Sequence, residues 1–258
     1  MNLKQLINDG KQELPFVYSS FQQNELIRGL KKIIDLPAEE RARWLLRVKG
    51  DTTSEPDNGL SERGVNDGKD HKFFFHYRNC LIEQLIGAGI NIEPHQEFLK
   101  SAQRLYNSLA SYAEDVLINL DKQLPGFDFQ ERLIAREARL RHVLRLLYYE
   151  PNHENMARIH DDRDGITFAV AESRPGLFFE NEDTLYTPAE NKILVFNGLK
   201  AELHTDGKLK SMRHYVKNLV LHEPRWAIVF FTHYHIDVLT DREVEELTAK
   251  RIGTYIAA

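Results

Sequence analysis

After Arg141 the chain breaks into short β-prone runs, Leu144 to Tyr149, Ile166 to Ala171, Leu177 to Phe179, Ile193 to Phe196 and Trp226 to Thr232, with turn-forming residues between them. Runs this short, at such even spacing, make an all-β sandwich or barrel the expected architecture of the second half. The first half has a different period. From Gln22 to Val48 apolar residues recur at helical spacing (Leu26, Leu30, Ile33, Ile34), and Pro37 is placed to start a second helix from Ala38 to Leu46. Glu97 to Leu120 carries Leu99, Ala102, Leu105, Leu109, Tyr112 and Val116 on one face, which predicts a long amphipathic helix supporting the sheet. These helices are expected to pack outside the barrel. Asp51 to Asp70 is rich in Gly, Asp, Asn and Ser and reads as a loop placed to rim a site mouth. For Phe73-Phe74-Phe75 just after it, the simpler reading is one strand packed against a helix. Asp241 to Arg251 is expected to close the chain as a helix capped by Thr240 or Asp241. No internal repeat, heptad or low-complexity tract is visible.

One set of residues carries chemistry. His160-x-Asp162 is followed 52 positions later by His214 and 11 positions after that by Arg225. Two imidazoles and one carboxylate on a triangular face leave the other coordination positions of an octahedral ion open, which is the ligand set of non-haem Fe(II) oxygenases. A trailing guanidinium adds a cation for an anionic co-substrate. On a strand, residues two apart share a face, so His160 and Asp162 are expected to project together into the interior. The same His-x-Asp pattern occurs at His204-Thr205-Asp206 and His235-Ile236-Asp237, with His233 nearby. Only His160 and Asp162 leave enough chain for both a distant third ligand and a cation. Thr205-Asp206-Gly207 has the composition of a tight reversal, and His233 and His235 close an apolar run.

Bulk properties narrow the field. A chain of 258 residues suits one large domain with a substantial core. A net charge of −5 and a pI near 6.1 argue against a general nucleic-acid or membrane-surface binder, which would carry a basic field. The single cysteine, Cys80, has no internal disulfide partner and fits a reducing compartment. The start MNLKQLINDGKQ lacks a signal-peptide core, and no apolar run is long enough to span a bilayer, so a cytoplasmic location is expected.

From Leu144 to Phe231 the chain resembles the isopenicillin N synthase-like branch of the Fe(II)/2-oxoglutarate-dependent dioxygenase superfamily. Leu144 to Pro151 resembles the family's strand ending in a Tyr-Tyr pair and a proline, and Ile159 to Thr167 its His-x-Asp segment with a threonine five places after the aspartate. Pro175-Gly176-Leu177 resembles its Gly-Leu step. Thr205 to His214 resembles Thr-Asn-Gly-x-Leu-Lys-Ser-x-x-His almost position for position, which selects His214 and demotes His204. The chain departs from the pattern at Ala227, where Arg-x-Ser usually ends; at Leu147, where an asparagine is common; at Asn197-Gly198-Leu199-Lys200, in place of Asn-Val-Gly-Asp; and at Tyr215, where an arginine usually follows the histidine. The hydroxyl that assists the arginine is therefore missing.

The resemblance implies a mainly β fold with flanking helices: a double-stranded β-helix (jelly-roll) core packed against amino-terminal α-helices. It implies a single domain over residues 1–258, with helical support and a substrate loop in 1–141, the jelly-roll core in 142–236 and a carboxy-terminal helix in 237–258. The cofactors implied are Fe(II) on His160, Asp162 and His214, and 2-oxoglutarate anchored by Arg225 with Tyr149 as a supplementary donor. No catalytic residue beyond the metal ligands is implied. The expected reaction uses dioxygen to hydroxylate an unactivated C–H bond of a small molecule, with succinate and CO2 as co-products; the carboxylate at Asp162 weighs against halogenation. Two alternatives stand beside it: an Fe(II) oxidase closing a ring or desaturating its substrate with or without 2-oxoglutarate, and a non-catalytic metal-binding or sensing module. Neither nucleic acid nor membrane is expected as a partner. The substrate and oligomeric state are not legible.

Overall fold

The computed structural model describes residues 1–47, 57–63, 72–134, 141–151, 155–180, 182, 185–186 and 189–234. In chain order the elements are α1 (Lys4–Asp9), β1 (Lys11–Pro15), α2 (Ser20–Ile34), α3 (Ala38–Ala42), β2 (Leu45–Arg47), β3 (Asp57–Arg63), β4 (Lys72–Tyr77), α4 (Leu81–Gly87), α5 (Gln96–Gln123), α6 (Phe129–Ile134), β5 (Val143–Tyr149), β6 (Asn155–His160), β7 (Ile166–Glu172), β8 (Leu177–Phe179), β9 (Leu185–Tyr186), β10 (Lys192–Asn197), α7 (Leu199–His204), β11 (His214–Lys217) and β12 (Arg225–Thr232). Eight strands form the major sheet in the order β1-β10-β7-β12-β5-β4-β3-β2, and four form the minor sheet in the order β6-β11-β8-β9. Every pairing among the described strands is antiparallel. The two inner faces meet through Phe74, Leu147, Met156 and Ala227 at one side and Leu177, Phe179, Leu194 and Phe196 at the other, giving the expected jelly-roll sandwich.

Strand alternation explains why the helices lie where they do. Phe73, Phe75 and Tyr77 of β4, Leu144 and Leu146 of β5, and Ile228 and Phe230 of β12 face outward into one cluster with α5. There Phe75 meets Phe98 edge-on at 5.0 Å, and Tyr106 touches both Tyr77 and Phe230. A fully buried Phe such as Phe75 contributes roughly 1.5–3 kcal/mol by burial alone. The phenylalanine triplet therefore splits: Phe73 and Phe75 hold the helix layer, while Phe74 faces the interior. α2 starts at a capping box between Ser19 and Gln22 and buries Leu26, Ile27, Leu30, Ile33 and Ile34. It lies so close to α5 that a Cβ at Gly29 would fall 2.6 Å from that of Phe98.

Three expectations change. Residues 1–141 are more than helical support, since β1 to β4 supply half of the major sheet. Part of the expected loop at 51–70 is β3, whose Gly59 sits at φ 78° where a Cβ would strike the Trp44 carbonyl. A glycine read as a loop signal is thus the position that lets an edge strand approach its neighbour. The second helix stops at Ala42 because the chain turns into β2. The helix expected over Asp241 to Arg251 lies outside the described residues. Among the described residues no helix is long and apolar enough to cross a membrane, and Cys80 forms no disulfide.

Candidate metal centre and anion anchor

His214 lies directly opposite His160 in the pairing of β11 with β6, so the backbone ladder itself brings the two imidazoles together. Their ring centroids are 4.4 Å apart. Asp162 approaches both, with Oδ1 3.6 Å from His160 Nε2 and Oδ2 3.8 Å from His214 Nε2. One potential ligand atom from each of the three lies within 4.8 Å of the others. The route differs from the expected strand alternation: β6 ends at His160, and Asp162 sits in the loop that follows.

That loop is held from three directions. The Leu199 amide donates to the Asp162 carbonyl at 2.7 Å and the Gly198 amide to the Gly165 carbonyl at 2.8 Å. A Cβ at Gly198 would lie 2.2 Å from the Asp164 carbonyl oxygen, so only glycine admits this approach. The Thr167 hydroxyl donates to Asp162 Oδ2 at 2.6 Å. Thr167, marked in the sequence only by its place five residues after Asp162, thus orients the carboxylate.

Both histidines are prepared in the same way. His160 Nδ1 lies 2.6 Å from the Arg158 carbonyl and His214 Nδ1 2.9 Å from that of Met212. A ring nitrogen facing a carbonyl must carry the proton, which leaves each Nε2 with its lone pair toward Asp162. Desolvation and the neighbouring His214 lower the His160 pKa, with Asp162 opposing them. Two imidazoles with their Nε2 atoms turned toward an oriented carboxylate are what a divalent transition-metal ion requires.

The cavity extends from these residues across the inner face of the major sheet. It encloses about 90 Å³, well beyond the roughly 10–15 Å³ needed by one water, so the region is not closed by hydrocarbon packing. Register explains its lining: Lys72, Tyr149 and Arg225 lie side by side across β4, β5 and β12, and alternation places Leu147, Arg145, Ala227 and Val229 on the same face. Arg145 and Lys72, absent from the sequence reading, bring two more cations to the wall. Arg225 is buried with its guanidinium 5.4 Å from the centre of the Tyr149 ring. Its Nε donates to the Arg174 carbonyl and its Nη2 to Glu172 Oε2. Burial lifts Glu172 to about 7 even against the lowering effect of Arg225.

Glu172 is invisible to alternation. Thr167 and Ala169 of β7 face inward opposite Phe231 and Val229, which would turn Glu172 outward. A bulge between Ile228 and Val229 in the β12–β7 pairing shifts the register by one and sets Glu172 opposite Ala227. The competing histidines go elsewhere. His204 packs among Phe127, Phe129 and Tyr234, and His233 lies 3.2 Å from Asp164 with Lys200 as a neighbour. His235 and Asp237 lie outside the described residues. Arg174 pairs with Glu223 at the surface, and Arg163 is exposed.

Residues 140–234 match the model of the 2OG-Fe(II) oxygenase superfamily. A 2-oxoglutarate-dependent dioxygenase of Didymella fabae is 27% identical over 160 residues, which cover 57% of this chain and 48% of that protein, so the chain spans about half the length of this curated relative. The crystal structure of a full-length Neurospora crassa protein in complex with alpha-KG and 5-formyluracil superposes with a TM-score of 0.68 at 20% identity, over 90% of this chain and 77% of that one. The Arabidopsis thaliana dioxygenase for auxin oxidation, in its 2-oxoglutarate complex, gives 0.65 at 14% identity over 92% and 90%. These two likenesses concern the fold. The family match covers the stretch that delivers every side chain of the cavity's polar ends except Lys72.

Proposed function

We propose that the protein is an Fe(II)- and 2-oxoglutarate-dependent oxygenase that hydroxylates an unactivated C–H bond of a small molecule, consuming dioxygen and releasing succinate and CO2. The convergence of His160 Nε2, His214 Nε2 and the Asp162 carboxylate, with both Nδ1 atoms tied to backbone carbonyls, carries this reading. These three residues would hold the iron, leaving the remaining positions for co-substrate and oxygen. When bound, the iron supplies redox activation of dioxygen, chemistry that no side chain of the site offers. Arg225 would bind the far carboxylate of 2-oxoglutarate, and Tyr149, whose ring lies against that guanidinium, would support it. The apolar remainder of the wall, Leu147, Val216, Ala227 and Phe231 among it, limits bulk water around the reacting groups. The motifs quoted above favour the isopenicillin N synthase-like branch, and the lone cysteine favours a reducing, cytoplasmic setting.

One observation favours a second reading: Ala227 offers no hydroxyl and Glu172 already occupies Arg225, which suits an Fe(II) oxidase that closes rings or desaturates without 2-oxoglutarate. A single assay separates the two. Protein loaded anaerobically with Fe(II), given 2-oxoglutarate and then oxygen, should form succinate slowly even without its prime substrate. Oxygen uptake with a candidate substrate but without succinate would favour the oxidase, and retained iron with no oxygen consumption would leave only a binding module.

A further inference from the structure

The end of the cavity opposite the metal ligands is chemically incomplete. Arg225 keeps 2% and Glu172 9% of side-chain exposure, yet the contact between them uses only Nη2 and Oε2. Arg225 Nη1 and Glu172 Oε1 are both buried and, among the described residues, have no hydrogen-bond partner. Leaving a buried donor and a buried acceptor unpaired is costly, so the pair is half of a larger arrangement. Both residues line the cavity, and the register puts Glu172 directly opposite Ala227, where the family's serine is missing.

We propose that Glu172 is itself part of the co-substrate site: carrying a proton, its carboxyl donates to the distal carboxylate of 2-oxoglutarate on Arg225, in place of the hydroxyl absent at position 227. This rests on the reading of the cavity as a 2-oxoglutarate site. An ionised Glu172 and an incoming carboxylate would be two like charges on one guanidinium in a site shielded from water, an arrangement that drives protonation of one of them. Once protonated, Glu172 releases Nη2 and gains an O–H donor, so that Nη1, Nη2 and the carboxyl all serve the ligand. The balance is one proton taken from solvent per 2-oxoglutarate bound, with no other bond made or broken.

The groups facing Glu172 permit this. Arg225 comes from β12 above Tyr149 of β5. From β9, Tyr186 lies near and its hydroxyl is engaged by Glu13 of β1, itself paired with Lys192 of β10. The Arg174 guanidinium is turned to Glu223. Arg225 is the cation in contact with Glu172; the wall's two other cations, Lys72 beyond Tyr149 on β4 and Arg145 farther along β5, line the same cavity. The carboxyl's elevated pKa, about 7, makes the proton available near neutrality.

Calorimetric titration of 2-oxoglutarate into Mn(II)-loaded protein, from pH 6.5 to 8.5 in buffers of different ionisation enthalpy, tests this directly. Above pH 7, uptake should approach one proton per ligand and Kd should rise toward roughly tenfold per pH unit. Glu172→Gln, which keeps a donor and removes the charge, should bind without proton uptake or pH dependence and more tightly than the parent at pH 8.5. Arg225→Ala should lose binding at every pH. Binding by the parent chain with no proton uptake would overturn the Glu172 assignment while leaving the co-substrate reading intact; so would a Glu172→Gln loss as large as that of Arg225→Ala. Absence of binding at any pH would overturn both. Should Glu172→Gln fail to fold, proton uptake by the parent chain decides alone.

Discussion

The two polar ends of the cavity are built on opposite principles. At the metal end every orienting bond is already made: two backbone carbonyls fix the imidazoles and Thr167 fixes the carboxylate, so the lone pairs stand ready with no partner to displace. At the anchor end Arg225 is engaged by a buried carboxylate that a second anion must displace or neutralise. A preorganised site loses little on binding, whereas an exchange of partners makes affinity depend on the protonation of the group displaced. The chain should therefore bind its co-substrate with a strong pH dependence, set by the carboxylate that must be displaced or protonated.

Substitutions at each end can break that contrast. The largest effect is expected from His214→Ala, which should reduce Mn(II) or Fe(II) affinity by more than about 100-fold, read as metal retained after dialysis, because it takes away one of the three proposed ligands. Loss of metal from Arg225→Ala as well would mean the ends are not separable. Thr167→Val is the intermediate test: removing the hydroxyl that orients Asp162 should weaken metal binding roughly 10- to 100-fold without changing the melting temperature much. An unchanged affinity would show that the loop held by Gly198 positions Asp162 on its own. The smallest effect should come from Ala227→Ser. A restored hydroxyl is worth about 0.5–1.5 kcal/mol, so co-substrate binding should tighten roughly 2- to 10-fold, more at pH 8.5 than at 6.5, when the hydroxyl replaces a donor that Glu172 no longer supplies. A gain equal at both pH values would show that the hydroxyl and Glu172 act independently.

The parts readable in advance share one property, that a short window of sequence suffices. The strand runs from Leu144 to Thr232 and the stripe along α5 follow from local periodicity, and the structure shifts their ends by only a few residues. β3 escapes such a reading because polar residues and Gly59 are tolerated on a strand near the sheet edge, where one side needs no apolar face. Asp162 is legible for an incomplete reason: it reaches the histidines from a loop pinned at Gly198, not by strand alternation alone.

What the sequence determined by itself is the chemical inventory and its order: two histidines and an aspartate, a trailing arginine, and strands and helices whose apolar periods need only neighbouring residues. Tertiary structure alone decided the arginine's partner. Glu172 meets Arg225 across 53 positions, and it faces the cavity only because a bulge flips the parity of β7 against β12. A one-residue shift moves a side chain to the other face of a sheet while leaving its own sequence neighbourhood unaltered, so only the paired strand reveals it.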